Sequence, residues 1–267
     1  MRDAWQLYWC YVAASIRSQL QHRASTIMLA FGQFVAIGVE FGAMWALFDR
    51  FGSVAGWTLP EVALLYGMAN TSFAISEAFA RGFDVFDQQV RSGDLDRLLL
   101  RPRSTALQVA ASEVQLGRAG RFLTGLIVLA WSIATLGAAW GPLEVVLLLA
   151  AIASGACIFT GLFVLQATMC FWTIEGLEIA NTVTYGGVET TQFPLSIYDN
   201  WLKVLFVYVI PLGCMGYFPA LALLDRPDPI GAPTWLPWAS PLVGLAFLTL
   251  CLQIWRLGIR HYQSTGS

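Results

Sequence analysis

Lysine is almost missing from this chain of 267 residues: Lys203 is the only one, and Leu202 precedes it. A phosphate-cradling GxxxxGK[ST] loop needs a lysine directly after a glycine, so the chain carries no nucleotide site of that type. Histidine is nearly as scarce. His22 and His261 stand at opposite ends of the chain, with no carboxylate or cysteine at metal-ligand spacing, so no metal centre is expected. The five cysteines (Cys10, Cys157, Cys170, Cys214, Cys251) are odd in number and form no CxxC pair. Four fall in or beside apolar runs and read as small buried hydrophobes. No GxSxG elbow is present. Residues 1–23 lack an unbroken apolar core followed by a small-residue cleavage site, so they do not read as a cleavable signal. Charge itself is sparse, at 12% against 57% hydrophobic residues, and the mean hydropathy is +0.62. A soluble chain of this size needs far more polar surface, so the composition is that of an integral membrane protein. The net charge of −2 offers no basic excess, and no nucleic-acid partner is expected.

What is present is a series of apolar runs. They lie at about 24–48, 61–80, 119–139, 144–171 and 238–258, each near the length that spans a bilayer. Two further segments are harder to read. Residues 174–193 (IEGLEIANTVTYGGVETTQF) are too polar to face lipid but suit a span inside a bundle. Residues 201–224 are apolar enough to cross, yet Pro211, Gly213, Gly216 and Pro219 break the helix repeatedly. Ahead of all of these, Trp5, Tyr8, Trp9, Val12, Ile16 and Leu20 recur at helical spacing, opposite Gln6, Arg17, Ser18 and Gln21. That pattern predicts an amphipathic helix over 3–22, lying either in the membrane interface or on protein.

Charge sidedness selects a topology. With the N-terminus cytoplasmic, 174–193 spanning and 199–224 re-entrant on the outside, twelve arginines fall inside: Arg2, Arg17, Arg23, Arg81, Arg91, Arg97, Arg101, Arg103, Arg118, Arg121, Arg256 and Arg260. Only Arg50, Lys203 and Arg226 fall outside. A full crossing at 201–224 would export the basic C-terminal end. The expected fold is therefore an all-α integral membrane domain over 1–267, with six spans, both termini cytoplasmic, and Trp57, Trp140, Trp201, Trp235 and Trp238 near the outer interface. No internal repeat is evident.

Nine charged side chains crowd into 81–103, the core of a cytoplasmic segment over 81–118. Phe83, Phe86 and Val90 share one face, with Asp84, Asp87 and Gln88 elsewhere. Gly93 permits a turn, Asp94 is placed to cap a second short helix, and Asp96 suits its positive end. Leu95, Leu98 and Leu99 give that helix an apolar side, and Pro102 helps to stop it. Two short amphipathic helices at a sharp corner are expected. They form either a docking element for a cytoplasmic partner or a loop resting on lipid headgroups.

Within the expected spans, Glu40 lies between Gly38 and Gly42, and Asn70, Ser76 and Glu77 mark the second span. Ionisable groups at such depth face the bundle interior or mark a pathway. Glu40 and Glu77 read as inter-helix hydrogen-bonding groups or as functional ones. Asn181, Thr182, Thr184, Tyr185 and Glu189 make the fifth span the most polar, for either pathway lining or polar packing. Pro194, Pro211 and Pro219 interrupt helices where Gly186, Gly187 and Gly213 add freedom; the segment either folds into the outer leaflet over Tyr185, Glu189 and Phe193 or rests outside.

Three passages carry a resemblance: GDLDRLLLRPRS (93–104), QFPLSIY (192–198) and VIPLGCMGYFPALALL (209–224). In their order and spacing they look like one branch of the type-2 class of ABC exporter permeases, and the resemblance covers essentially the whole chain. It implies that 81–103 is the coupling helix seated in a cleft of the ATPase, with Phe83, Asp84, Phe86, Arg91, Asp94, Asp96, Arg97, Leu98 and Arg101 as its contacts. It further implies an extracellular re-entrant hairpin over 194–224 within an outer region of 194–235, with Pro194, Tyr198, Pro211 and Pro219 in the gate. Glu40, Asn70, Glu77, Asn181, Thr184, Tyr185, Glu189 and Phe193 are the candidate pathway residues. The chain itself would bind no cofactor; ATP and Mg would sit in a separate ABC ATPase, and a second permease, more often a different chain, would complete the pore in the cell membrane. A secondary transporter using Glu40 or Glu77, or a membrane-embedded enzyme or scaffold, are the competing classes.

Overall fold

The computed structural model of the chain describes residues 2–101, 103–137, 139–172, 177–227, 231, 233 and 235–261. Expectations placed on Pro102, on residues 174–176 and on the side chains of Trp5 and Gln6 fall outside that description. Among the described residues helix is the only extended regular structure; Val54 and Trp57 form one isolated bridge. The helices are α1 (Arg2–Gln21), α2 (Arg23–Phe51), α3 (Leu59–Asp84), α4 (Phe86–Arg91), α5 (Asp94–Leu99), α6 (Thr105–Ser112), α7 (Ala119–Leu136), α8 (Pro142–Met169), α9 (Leu177–Thr191), α10 (Asn200–Val204), α11 (Tyr217–Leu223) and α12 (Leu236–His261).

Local chemistry sets several of these ends. The Thr58 N–H donates to Glu61 Oε2 at 2.7 Å, which satisfies one orphan donor at the start of α3. Pro142 opens α8, where its missing N–H costs nothing. Pro241 lies inside α12 and cannot donate to the Pro237 carbonyl; the Ser240 hydroxyl donates there instead, at 2.9 Å.

α3 is the pillar of the bundle, buried on nearly every side from Val62 to Ala74 and packed along α7 and α8. Small residues let the backbones approach, as expected where no water drives helices together. A Cβ at Gly67 would stand 2.8 Å from the Leu129 Cβ, and one at Gly155 would stand 2.5 Å from the Ser72 hydroxyl. The α2–α7 contact is tighter still. A Cβ at Gly120 would fall 1.9 Å from the Ala30 carbonyl oxygen.

Contacts along the bundle fix the helix directions. Ser72 meets Ile152, Ser76 meets Thr160 and Asp84 meets Gln166, so α3 and α8 run parallel. Gly244 meets Ser154 and Gly258 meets Thr168, so α12 runs with them. Ser132 meets Pro60 and Arg118 meets Glu77, so α7 opposes α3. α2 runs with α7, since Gly120 faces Ala30 and Thr124 meets Phe34. α9 starts near Asp84 and ends beside Leu65 and Gly216, so it also opposes α3. Six helices thus alternate in direction, and α1, α4, α5 and α6 gather at one end with Arg256 and Arg260.

α2, α8, α12 and the stretch Leu116–Leu136 are long and apolar enough to cross a membrane; the pair Asn200–Val209 and Leu212–Leu223, bent by 75°, makes up to five. Among the described residues, the expected spans at 61–80 and 174–193 do not meet that measure. The reason is physical: α3 is covered by protein and can carry Asn70, Ser72, Ser76 and Glu77, while α9 spans 15 of the described residues, about 22 Å at helical rise. After α9 the chain makes a turn at Leu195–Ile197, then α10, a buried corner at Leu212–Cys214 and α11. α11 ends where the Trp140 indole donates to the Leu223 carbonyl at 3.2 Å and Arg226 pairs with Glu61 at 2.9 Å. That is the end at which α3 and α8 begin, so the segment returns to the side on which α12 starts.

Candidate functional site

The charged segment folds into the expected corner. α4 continues from α3, Gly93 adopts φ +73° at the bend, and α5 follows. The left-handed φ is why glycine sits there. Asp94 does not cap α5: it occupies the first helical position, and its carboxylate accepts from the Ser92 hydroxyl at 2.8 Å. The larger correction concerns Phe83 and Phe86. They were expected to contact a partner, but Phe86 is 0% exposed, and its ring lies 5.0 Å from that of Trp255 and 5.6 Å from that of Phe171. Phe83 packs on the same Trp255 at 5.1 Å. The aromatic face clamps the corner onto α8 and α12. Leu98 is partly buried against the same core. What the corner presents outward is polar: Arg91 pairs with Asp87 at 3.9 Å and Arg97 with Asp94 at 3.6 Å, while Leu100 is 86% exposed. Exposed pairs of this kind contribute little stability. Arg101 donates to the Tyr11 hydroxyl at 2.6 Å, tying the corner to α1. Asp96 is partly exposed on the same helix.

Behind the corner lies a buried polar network joining four elements. Glu77 is 0% exposed; Arg118 approaches it to 3.3 Å and Arg81 to 3.8 Å. Arg81 also pairs with Asp84. The Tyr185 hydroxyl accepts from Arg81 at 3.1 Å and donates to Asp84 at 3.0 Å. The Gln166 amide donates to Asp84 at 3.2 Å and to Asn181 at 2.7 Å. Two carboxylates thus meet two guanidiniums, which is the way charge is held away from water. Of the expected pathway residues, the network brings together Glu77, Asn181 and Tyr185. It adds Asp84 from the expected coupling set and Arg81, Gln166 and Arg118, which sequence reasoning left out. Arg121 lies next to it, its guanidinium 4.9 Å from the Phe73 ring centre. The available signal was the recurrence of Arg118 and Arg121 at the very start of an apolar run, one helical turn apart.

The remaining candidates lie elsewhere. Asn70 donates to the Tyr66 carbonyl at 3.1 Å within its own helix. Glu40 is half-buried on α2 and Glu189 is exposed on α9, Thr184 is buried, and Phe193 packs against the main core. In the expected gate, the Tyr198 hydroxyl donates to the Thr190 carbonyl at 3.1 Å. Pro194 and Pro211 flank short turns, as helix-breaking residues should. Pro219 is buried at the third position of α11, where no intrahelical donor is needed, so it does not interrupt that helix.

The arrangement defines a class: an all-helical, multi-pass membrane protein with a charged corner at one end of its bundle. A sequence-family profile described as ABC-2 family transporter protein matches residues 34–266, and the chain belongs to that family. No curated protein and no solved structure matches it. Membership makes the chain a membrane permease subunit of an ABC transporter, working with an ABC ATPase in a lipid bilayer.

Proposed function

We propose that the chain is one half of the membrane pore of an ATP-driven exporter, with six spans and both termini in the cytoplasm of the cell it serves. Six helices of alternating direction, with α1 and the α4–α5 corner at the arginine-rich end, support that topology. The chain segment from Gln192 to the start of α12 then forms a re-entrant outer region that closes the exit. ATP and Mg are bound by the partner ATPase, whose surface meets Arg91, Asp94, Arg97, Leu100 and Arg101.

The observation that carries the reading is Asp84. It ends α3 directly before the corner, and through Tyr185 and Gln166 it holds α9, the most polar of the six helices. A displacement of the corner by the ATPase therefore reaches α9 through Asp84 and the Arg81 guanidinium beside it. Glu189 is exposed on that helix in the single chain, and an ionisable group at such depth does not face lipid. A second permease, preferably a different chain, covers this face and completes a route for an amphiphilic, lipidic, peptide or antibiotic-like substrate.

Single cysteines in a cysteine-free background test the topology. Asp199→Cys should react with a membrane-impermeant reagent added outside, and His261→Cys should not. Outside labelling of His261→Cys removes the six-span arrangement and with it the cytoplasmic corner.

A further inference from the structure

A cavity of about 800 Å³ opens between α1, the first turns of α2 and the segment joining α6 to α7. That volume lies in the range of small-molecule sites. Its frame is tied together by hydrogen bonds within the chain. The Gln19 amide bonds the Val114 carbonyl, its Oε1 accepts the Leu116 N–H at 2.9 Å, and the Ser15 hydroxyl joins Val114 at 3.3 Å. Inside that frame, the side chains of Ser18, Ser25 and Gln33 have no hydrogen-bond partner among the described residues, and His22 stands beside them. Of the charged walls, Arg118 lies 3.3 Å from Glu77, whereas the Glu113 carboxylate accepts from the Gln115 amide at 2.9 Å and has no ion pair among the described residues. The free groups are hydroxyl, amide and imidazole, with one carboxylate that has no cation partner among the described residues.

A second cleft of about 260 Å³ shares Val114, Gln115 and Arg118 with the first. Its other walls are Ala74, Ile75, Ala78, Phe79, Leu116, Ala119 and Phe122, so it is almost wholly apolar. Polar and apolar cavities thus adjoin at the level where α1 folds against the bundle and α2 begins its apolar run. Leu29 lines the polar cavity, and Met28 and Phe31 are exposed on the same helix, a surface that suits acyl chains. In a bilayer this is the boundary between headgroups and hydrocarbon.

We propose that the paired cavities bind a membrane amphiphile with an uncharged, hydroxyl- or amide-rich head, the head among Ser18, His22, Ser25 and Gln33 and the chain in the apolar cleft. Uncommitted hydrogen-bonding groups recognise such a head, whereas an anionic head meets the Glu113 carboxylate and no unpaired guanidinium. The inference uses the bilayer placement argued above but not ATP-driven transport, so the two fail separately.

The test uses the full chain with its ATPase in nanodiscs of phosphatidylcholine. A diazirine-bearing dodecyl glucoside is compared with the same chain carrying a sulfate head. Adducts of the glucoside should concentrate in residues 11–33 and 111–122, saturate, and disappear under excess unlabelled dodecyl glucoside. The sulfate probe should label these segments no more than other lipid-facing ones. Ser18→Leu with Gln33→Leu removes two hydrogen bonds and should weaken saturable labelling about tenfold. Loss of labelling during ATP turnover identifies a transported amphiphile; labelling indifferent to ATP identifies a resident lipid, and either supports the site. Unsaturable labelling spread over all lipid-facing helices, equal labelling by both heads, or an unaffected double variant in a chain with wild-type thermal stability would overturn it.

Discussion

Replacing Arg118 by methionine leaves the Glu77 carboxylate, 0% exposed, with Arg81 at 3.8 Å as its one remaining ion-pair partner among the described residues. Breaking a fully buried ion pair from one side costs roughly 3–5 kcal/mol. Arg118 is 17% exposed and Arg81 remains, so the expected loss here is about 2–3 kcal/mol, the lower end of that measured for interfacial charge pairs. For a chain of this size that corresponds to a fall in Tm of roughly 4–12 °C. Glu77→Gln alone should cost less: it strands Arg118, but that guanidinium is 17% exposed and keeps its bond to Gln115, whereas a lone Glu77 carboxylate is fully buried. The double variant Glu77→Gln/Arg118→Met should recover most of the loss, because it removes the isolated carboxylate altogether. Thermal unfolding of the four proteins in one detergent, followed by tryptophan fluorescence, completes the cycle. A double variant as unstable as the sum of the singles would mean that the two side chains act independently, and the buried network would lose its claim to join α3 to α7.

Other expectations separate packing from contact. Phe86→Ala should cost about 3–5 kcal/mol of stability by emptying the space between Trp255 and Phe171. Arg97→Glu should leave Tm within about 1 °C, as surface charges do, yet reduce co-purification of the ATPase. Tyr185→Phe loses two hydrogen bonds at about 0.5–1.5 kcal/mol each; ATP hydrolysis by the assembled complex should persist while transport falls. Gly120→Val should abolish folded protein in the membrane, since even a Cβ there would stand 1.9 Å from the Ala30 oxygen; normal yield and Tm would show that α2 and α7 do not pack so closely.

The helices most readily seen in the sequence were those that must face hydrocarbon. The runs at 24–48, 144–171 and 238–258 became α2, α8 and α12 with ends displaced by only a few residues, because apolar length is what a bilayer selects. The corner was legible for a similar reason: Gly93 between two charged amphipathic stretches admits few conformations. What an apolar face touches is not written locally. Phe83 and Phe86 read as contacts for a partner, and what they do touch depends on Trp255, which arrives about 170 residues later. The Glu77–Arg118 pair was hidden in the same way. Counting charges by side of the membrane treats Arg118 as surface, whereas its guanidinium turns inward because a carboxylate on α3 waits there. α3 itself escapes an apolarity test because protein, not lipid, surrounds it.

The central claim is that the α4–α5 corner is the joint to the ATPase. A photoactivatable cross-linker at Leu100→Cys, in the complex purified with its ATPase, tests it most directly. The account predicts a cross-link to the ATPase subunit whose yield changes when ATP is trapped, and none from Trp235→Cys at the opposite end of the bundle. A complex that hydrolyses ATP yet cross-links from Trp235→Cys, and not from Leu100→Cys, would contradict it.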